Sequence, residues 1–276
     1  MADIESPLAP NLKAYDIDIK EHYDKVALSH KESPSSTMED LIIRRKETDF
    51  IINIINEYSK TQNVEPISIL EVGCGNGYTL SMLASQFSHF TYEGIEFNDS
   101  LRSLANERLN QHNIKVNKGD IRDLSTLSTK KFDILVCQRV IINLLDSADQ
   151  KQALQNLITL VKKGGLLVFI ESFNSGLNNL NDAREEFALK RIPPAHHNLY
   201  LEDDFFVHPN LKPFALFKAN LLSTHYFVSR VLHELALITN SSPFTRNSHF
   251  VSFLSEALPE SVGNYSPLQF LSFIKL

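Results

Sequence analysis

Residues 69–79 read Ile69-Leu70-Glu71-Val72-Gly73-Cys74-Gly75-Asn76-Gly77-Tyr78-Thr79, an apolar run that leads into a Gly-x-Gly-x-Gly turn. The apolar run predicts a buried strand, and the residues after the glycines predict the start of a helix. Glycine permits positive φ and lets a ligand approach the backbone more closely than a side chain would allow. The free amide groups at the start of a helix can bind a ligand anion. We therefore expect a small-molecule site at this turn.

Outward from this turn, short apolar runs alternate with helical patterns. The alternation predicts right-handed crossovers and a mostly parallel sheet, hence an α/β fold. The continuous apolar character of the runs predicts a sheet that is buried on both faces. The predicted strands are residues 67–72, 92–95, 114–117, 132–137 and 166–170, and the predicted helices are 77–87, 99–112 and 147–162.

The N-terminal part of the chain departs from this rhythm. Residues 1–37 are polar and are interpreted as irregular, ending in the stretch Ser33-Pro34-Ser35-Ser36-Thr37. A helical pattern begins at Met38 and carries apolar residues at helical spacing. Its solvent-facing side is expected to carry Arg44, Arg45, Lys46 and Glu47.

The C-terminal part also departs from it. Residues 172–212 are rich in Asn, acidic residues and Pro, and a connection of this length predicts a lid or a binding loop. Residues 214–222 and 268–275 are expected to close the sheet as two strands, with a helix between them.

Composition limits the classes of function. The chain has 276 residues, 43% of them hydrophobic, which fits one large domain with an insertion. Its net charge of −6 argues against nucleic acid as a partner. The absence of a long apolar run and the acidic start predict a cytoplasmic protein with no membrane partner. Cys74 and Cys137 fit neither a disulfide framework nor a metal-ligand spacing, so no metal site is expected.

The acidic residues near the predicted strand ends indicate the ligand. A dinucleotide-binding turn would have glycine where Tyr78 stands, and Glu71 suits an amino group better than a pyrophosphate. Glu96 ends the second strand, where a carboxylate can accept hydrogen bonds from ribose hydroxyls, unless it is simply an exposed strand-end acid. Asp120 follows the third strand and either accepts from an adenine amino group or serves as a turn residue. The side chains expected to pack on an adenine ring are Phe97 and Ile121.

As a set, these residues resemble the class I S-adenosylmethionine-dependent methyltransferases over about residues 64–172. The resemblance implies a Rossmann-like three-layer sandwich with a seven-stranded, mostly parallel sheet and an antiparallel last strand. It also implies that S-adenosylmethionine is held across the C-terminal edges of the strands. The matching positions are Glu71-Val72-Gly73-Cys74-Gly75-Asn76-Gly77, Glu96, Asp120-Ile121, Phe132-Asp133-Ile134-Leu135-Val136 and Lys162-Lys163-Gly164-Gly165.

Three shorter matches are similar to methyltransferases of bacterial surface-glycan gene clusters. They are Arg139–Leu145, Pro193–Asn198 and Ser36–Arg44, the last of which looks like the N-terminal lid of that group. The chain is accordingly divided into an N-terminal lid and helical segment, residues 1–60, and a methyltransferase domain, residues 61–276, with the insertion at about 172–212.

The resemblance also assigns roles to individual side chains. Arg44 is expected to pair with the methionine carboxylate, although an ordinary solvated helix arginine is an equal alternative. A hydroxyl acceptor needs a general base, for which His197 is preferred, with His196 and His225 as alternatives. Gln138 and Arg139 follow the fourth strand, where they either orient the acceptor or merely end the strand. The predicted cofactor-binding residues are Arg44, Glu71, Gly73, Cys74, Gly75, Gly77, Glu96, Phe97, Asp120, Ile121 and Gln138.

The leading hypothesis is methyl transfer from S-adenosylmethionine to a hydroxyl of a small molecule or glycan. The alternatives are N-methylation of an amino sugar or protein side chain, a non-catalytic S-adenosylmethionine-binding module, and a nicotinamide-dependent oxidoreductase. The sequence leaves the acceptor and the oligomeric state open.

Overall fold

The computed structural model describes residues 13–30, 38–62, 66–214, 218–239 and 244–276. The sequence features at Ser33–Thr37, and residues 36 and 37 of the lid-like match, lie outside the described residues. Seven strands form one sheet in the order β3-β2-β1-β4-β5-β7-β6. Their bounds are β1 Ser68–Val72, β2 Thr91–Glu96, β3 Val116–Lys118, β4 Phe132–Gln138, β5 Val161–Ser172, β6 Leu211–Pro213 and β7 Leu268–Lys275.

The sheet topology confirms the predicted fold class. Strands β1 to β5 pair in parallel, and β7 runs antiparallel between β5 and β6. Chain order moves from β1 outward to β3 and then returns to β4 on the other side of β1. Ligands of open α/β sheets bind at such a reversal, beyond the carboxyl ends of the strands.

Helices cover both faces of the sheet. On one face, Phe50, Ile51, Ile54 and Ile55 of one helix pack with residues of β1, β4 and β5 in a buried cluster. On the other face, a second cluster joins Leu157 to the strands. The helices are α1 Ala14–His30, α2 Leu41–Ser59, α3 Tyr78–Gln86, α4 Asp99–Leu109, α5 Ser147–Thr159, α6 Asn174–Glu186, α7 Ser223–Phe227, α8 His233–Thr239 and α9 His249–Ala257. Among the described residues no helix combines the length and apolar character that a membrane span requires.

The expectation of an irregular N-terminal segment was wrong, because residues 14–30 form α1. This helix is attached to the sheet through polar contacts rather than a continuous apolar stripe. The Arg122 guanidinium donates to Asp16 at 2.9 Å, and the Asn98 amide donates to Asp24 at 2.9 Å. A surface helix is predicted mainly from an amphipathic pattern. Because α1 is held by polar contacts and lacks that pattern, it was not predicted from the sequence.

Three further expectations were corrected. The polar side assigned to α2 is partly buried, since Arg44 is 5% exposed and Glu47 is 0% exposed. Residues 172–212 contain α6 as well as loop, and the strand expected at 214–222 instead occupies Leu211–Pro213. The 214–222 run is apolar because Phe214 and Leu221 pack against the core cluster on the α2 face, while residues 215–217 lie outside the described part.

Candidate functional site

The glycine turn after β1 adopts the backbone that its sequence predicts. Gly73, Gly75 and Gly77 have φ of 60°, 56° and 76°. A Cβ on Gly73 would lie 2.4 Å from a methyl group of Val140, which follows β4. Glycine is therefore required at this position by both the positive φ and the close approach of the β4 segment.

A cavity lies beyond the C-terminal ends of β1, β2 and β4. The structure brings ten of the eleven predicted cofactor-binding residues into its wall. The exception is Gly77, where a Cβ would meet Leu109 at 2.9 Å, so this glycine lets α3 pack on α4. Helix α1 supplies part of the wall through Asp16, Ile19, Lys20 and Tyr23.

Glu96 fixes the glycine turn at the end of β2. Its carboxylate accepts hydrogen bonds from the backbone N–H groups of Gly75 and Asn98, each at 2.8 Å. Burial raises the pKa of Glu96 above its ordinary value, while these N–H donors favour the charged form. The result is a buried acceptor at the cavity wall, held by backbone amides.

Glu71 has a buried carboxylate oxygen that a ligand could satisfy. Its side chain is 2% exposed, and Oε2 has no hydrogen-bond partner within the part of the chain that the structure describes. Burial raises the pKa of Glu71 to about 8. A buried acceptor atom without a partner is costly, and a ligand cation or N–H group would satisfy it.

Asp120 is engaged by a residue that the sequence reasoning missed. The Arg122 Nε donates to Asp120 Oδ1 at 3.0 Å, and the same guanidinium reaches Asp16 of α1. Any further hydrogen bond to the Asp120 carboxylate therefore has to be shared with Arg122. Asp120 and Arg122 are only two positions apart in the sequence. An acidic and a basic residue at this spacing after a strand could have predicted the pair.

A buried charge cluster joins α2 to the end of β4. Arg139 Nη1 lies 2.6 Å from Glu47 Oε1, and Arg44 Nη1 lies 3.7 Å from Glu47 Oε2. The Arg44 guanidinium also lies 5.4 Å from the ring centre of Tyr78, and burial lowers the pKa of Arg44 to about 10. Glu47 thus positions two predicted site arginines, although its sequence position suggested a solvent-facing side chain.

Glu171 is a second acid that the site assignment missed. It is the second-last residue of β5, and its carboxylate accepts from the backbone N–H groups of Val140, Ile141 and Ile142 at 3.0, 3.0 and 3.3 Å. Burial raises the pKa of Glu171 to about 7. These contacts cap the short helix Ile141–Asn143 and so fix the chain that leaves β4 along the cavity. The position of Glu171 near a strand end, like that of Glu96, could have identified it as a site residue.

A second cavity adjoins the first. The two cavities share Tyr23, Arg139 and Asn143, and the Asn143 amide donates to the Tyr23 hydroxyl at 2.9 Å. Other residues that line the second cavity include His22, Asp40, His197, Arg230 and Arg246. A molecule bound there would face the first cavity across this shared wall.

The three predicted base candidates separate in the structure. His197 lines the second cavity and stacks on His22, with ring centres 3.9 Å apart, and His196 lies edge-on to His197. His225 is buried elsewhere, between the Asp40 carboxylate and the Ser255 hydroxyl, each 2.9 Å away. Burial and the neighbouring imidazoles lower the pKa of His197 to about 4, which makes it a weaker base than an ordinary histidine.

Comparisons with known proteins agree with the fold. Residues 69–165 match the methyltransferase domain family. The chain is 25% identical to a malonyl-[acyl-carrier protein] O-methyltransferase of Halalkalibacterium halodurans, over 53% of this chain and 55% of that protein. It is 30% identical to the protein of the same name from Bacillus anthracis, over 44% of each chain. The chain spans about half the length of the curated relatives it matches.

Two solved structures resemble nearly the whole chain in fold. Magnesium protoporphyrin IX methyltransferase from Synechocystis PCC 6803, solved with bound S-adenosylmethionine, has a TM-score of 0.57 and 10% identity, covering 98% of this chain and all of the other. The N-methyltransferase NodS from Bradyrhizobium japonicum, in complex with S-adenosyl-L-homocysteine, has a TM-score of 0.53 and 14% identity, covering 92% and 97%. At these identities the likeness extends to the fold alone.

Proposed function

Because residues 69–165 of this chain match the methyltransferase domain family, we propose that it transfers a methyl group from S-adenosylmethionine to a hydroxyl of a small molecule or glycan. The observation that carries the proposal is the buried Glu71 oxygen that has no partner among the described residues, in a cavity that shares Tyr23, Arg139 and Asn143 with a second one. The bound donor supplies an electrophilic methyl group on a sulfonium. The chain supplies alignment and exclusion of water.

Each predicted contact has a chemically suitable group at the first cavity. Glu71 is assigned to the methionine amino group and Arg44 to its carboxylate, since a guanidinium matches a carboxylate. Glu96 is assigned to the ribose hydroxyls, as a carboxylate already fixed by the turn. Asp120 is assigned to the adenine amino group, and Phe97 and Ile121 to the faces of the ring. Gln138, the last residue of β4, accepts from the Thr79 hydroxyl at 3.3 Å and lines the donor cavity.

Cofactor binding is expected to release a proton from Glu71. With a pKa of about 8, this carboxyl is mostly protonated near neutral pH, whereas the ammonium group of S-adenosylhomocysteine favours the ionised form. Binding should therefore release about one proton near neutral pH and should tighten as the pH rises through about 8. Calorimetry in two buffers of different ionisation enthalpy measures this release.

Two variants control the proton-release experiment. Glu71→Gln removes the titrating group and should bind without releasing a proton. Glu93→Gln changes an acid of β2 that pairs with Lys130 outside the cavity, and should behave like the unmodified chain. Identical heats in both buffers for the unmodified chain would contradict the assignment of Glu71.

The second cavity is proposed as the acceptor site. It adjoins the donor cavity through Arg139 and Asn143, and His197 can accept a proton from a hydroxyl there. A carboxylate acceptor is the second candidate, since Arg139, Arg230 and Arg246 line the same cavity and a carboxylate needs no base. The names of the curated relatives, which are O-methyltransferases of malonyl-[acyl-carrier protein], are compatible with that candidate. An amine acceptor remains the alternative in which a base matters less.

The class of acceptor is tested by replacing His197. For a hydroxyl acceptor, His197→Ala should lower kcat by about 10- to 100-fold, near the lower limit for general-base catalysis, because the low pKa makes this imidazole a weak base. The assay follows release of S-adenosylhomocysteine with hydroxyl, amine and carboxylate acceptors. His208→Ala is the control, because His208 bonds Gln155 away from both cavities. An unchanged rate in His197→Ala would favour the carboxylate or amine candidate.

A further inference from the structure

Three histidines from distant parts of the sequence meet at the edge of the second cavity. His22 comes from α1, and His196 and His197 come from the loop after α6. One ring nitrogen of each lies within 4.8 Å of the others. This group was not predictable from spacing along the chain, because the two parts are separated by more than 170 residues.

The rings of His22 and His197 are stacked, so metal binding would require side-chain rotation. Imidazole nitrogens bound to one zinc ion lie about 2.0–2.1 Å from the metal, hence about 3.4 Å from one another. Side-chain rotations that bring the nitrogens up to about 1.4 Å closer would achieve this spacing. His196 is exposed and free to turn, and His197 Nδ1 is buried with no hydrogen-bond partner among the described residues.

We propose that His22, His196 and His197 bind one divalent transition-metal ion, with zinc as the type case. Three neutral imidazoles form a ligand set that suits zinc and leave a fourth position open. His22 and His197 line the second cavity, so the open position is accessible from it. The ion would also join α1 to the loop that carries His196 and His197.

The site has a chemical consequence that rests on the proposed function. A metal-bound hydroxyl loses its proton more readily than a free one. An acceptor hydroxyl coordinated at the open position would therefore need little help from a protein base. With the ion bound, His197 would serve as a metal ligand rather than as the general base.

Metal binding is tested on the full chain without any assay of activity. Protein treated with a chelator and then desalted is titrated with zinc chloride by calorimetry. We expect one ion per chain with a Kd at or below about 1 μM, equivalent to about 8 kcal/mol. His22→Ala and His196→Ala should each weaken binding by at least about 100-fold. His208→Ala, a histidine outside the cluster, should bind like the unmodified chain.

A second measurement covers the case in which a variant fails to fold. Cobalt added to the unmodified chain should give the intense visible absorption of a four-coordinate site, and zinc should displace it. Binding that is not one to one, or that survives His22→Ala unchanged, would overturn the proposal. Titration of each variant with S-adenosylhomocysteine separates this outcome from failure of the proposed function, because the donor cavity does not include the three histidines.

Discussion

Replacing Gly75 by arginine is expected to abolish binding of S-adenosylhomocysteine, with a loss of more than about 100-fold in affinity, or about 2.7 kcal/mol. Gly75 has φ of 56°, a conformation that costs a residue with a side chain about 1–2 kcal/mol. It also lines the first cavity, and its N–H donates to Glu96. The arginine side chain would occupy the space assigned to the donor, and any backbone shift would displace the Glu96 carboxylate. Calorimetry with purified Gly75→Arg measures the loss.

Gly164→Arg separates occlusion of the cavity from backbone strain. Gly164 lies in the irregular N-terminal part of β5, has φ of 77°, and a Cβ there would meet nothing within 4 Å. The two variants therefore carry the same new side chain and a similar backbone penalty, but only one affects the cavity. Gly164→Arg should keep its affinity within about threefold, an energy difference under 1 kcal/mol. Equal loss in both variants would show that the glycine turn is not the cofactor site.

The parts of the fold that were predictable are those governed by local pattern. The central parallel strands β1, β4 and β5 are largely apolar runs because both faces of the sheet are covered, and this made them recognisable. The cavity residues were also predictable, since Glu71, the glycine turn and Glu96 sit at strand ends in a parallel sheet. The carboxyl ends of neighbouring parallel strands lie at the same edge of the sheet. Residues that end these strands are therefore close in space even when they are far apart in sequence.

Features that depend on long-range polar contacts were not predictable. Helix α1 contributes to the cavity through Asp16 and Tyr23, yet its attachment depends on Arg122 and Asn143 from distant segments. Nothing within α1 itself specifies those partners. The histidine cluster has the same character, because no spacing rule connects residue 22 to residues 196 and 197.

The buried contacts of Glu47 are another example of long-range polar contacts that the sequence does not predict. Glu47→Gln is expected to destabilise the chain by about 3–5 kcal/mol. The wholly buried carboxylate faces two arginines, Arg139 at 2.6 Å and Arg44 at 3.7 Å. Burial raises the pKa of Glu47 and lowers that of Arg44, so desolvation opposes both charges and their pairing offsets it. Without the carboxylate charge, two guanidinium groups would remain close together with no acid between them. The shift in the urea unfolding midpoint measures the destabilisation.

Glu57→Gln is the matched control for this prediction, since Glu57 lies on the same helix with its side chain 43% exposed and pairs with Lys60 at the surface. Exposed pairs contribute about 0–1 kcal/mol, so this variant should unfold like the unmodified chain. Equal stability of Glu47→Gln and Glu57→Gln would contradict a buried pair at Glu47.

If the charge cluster also positions Arg44 for a ligand carboxylate, Glu47→Gln should weaken binding of S-adenosylhomocysteine. This affinity is measured without denaturant, where the variant is folded. If affinity and stability both fall, Glu47 contributes to the donor cavity as well as to the stability of the fold. Its sequence position had predicted a solvent-exposed side chain.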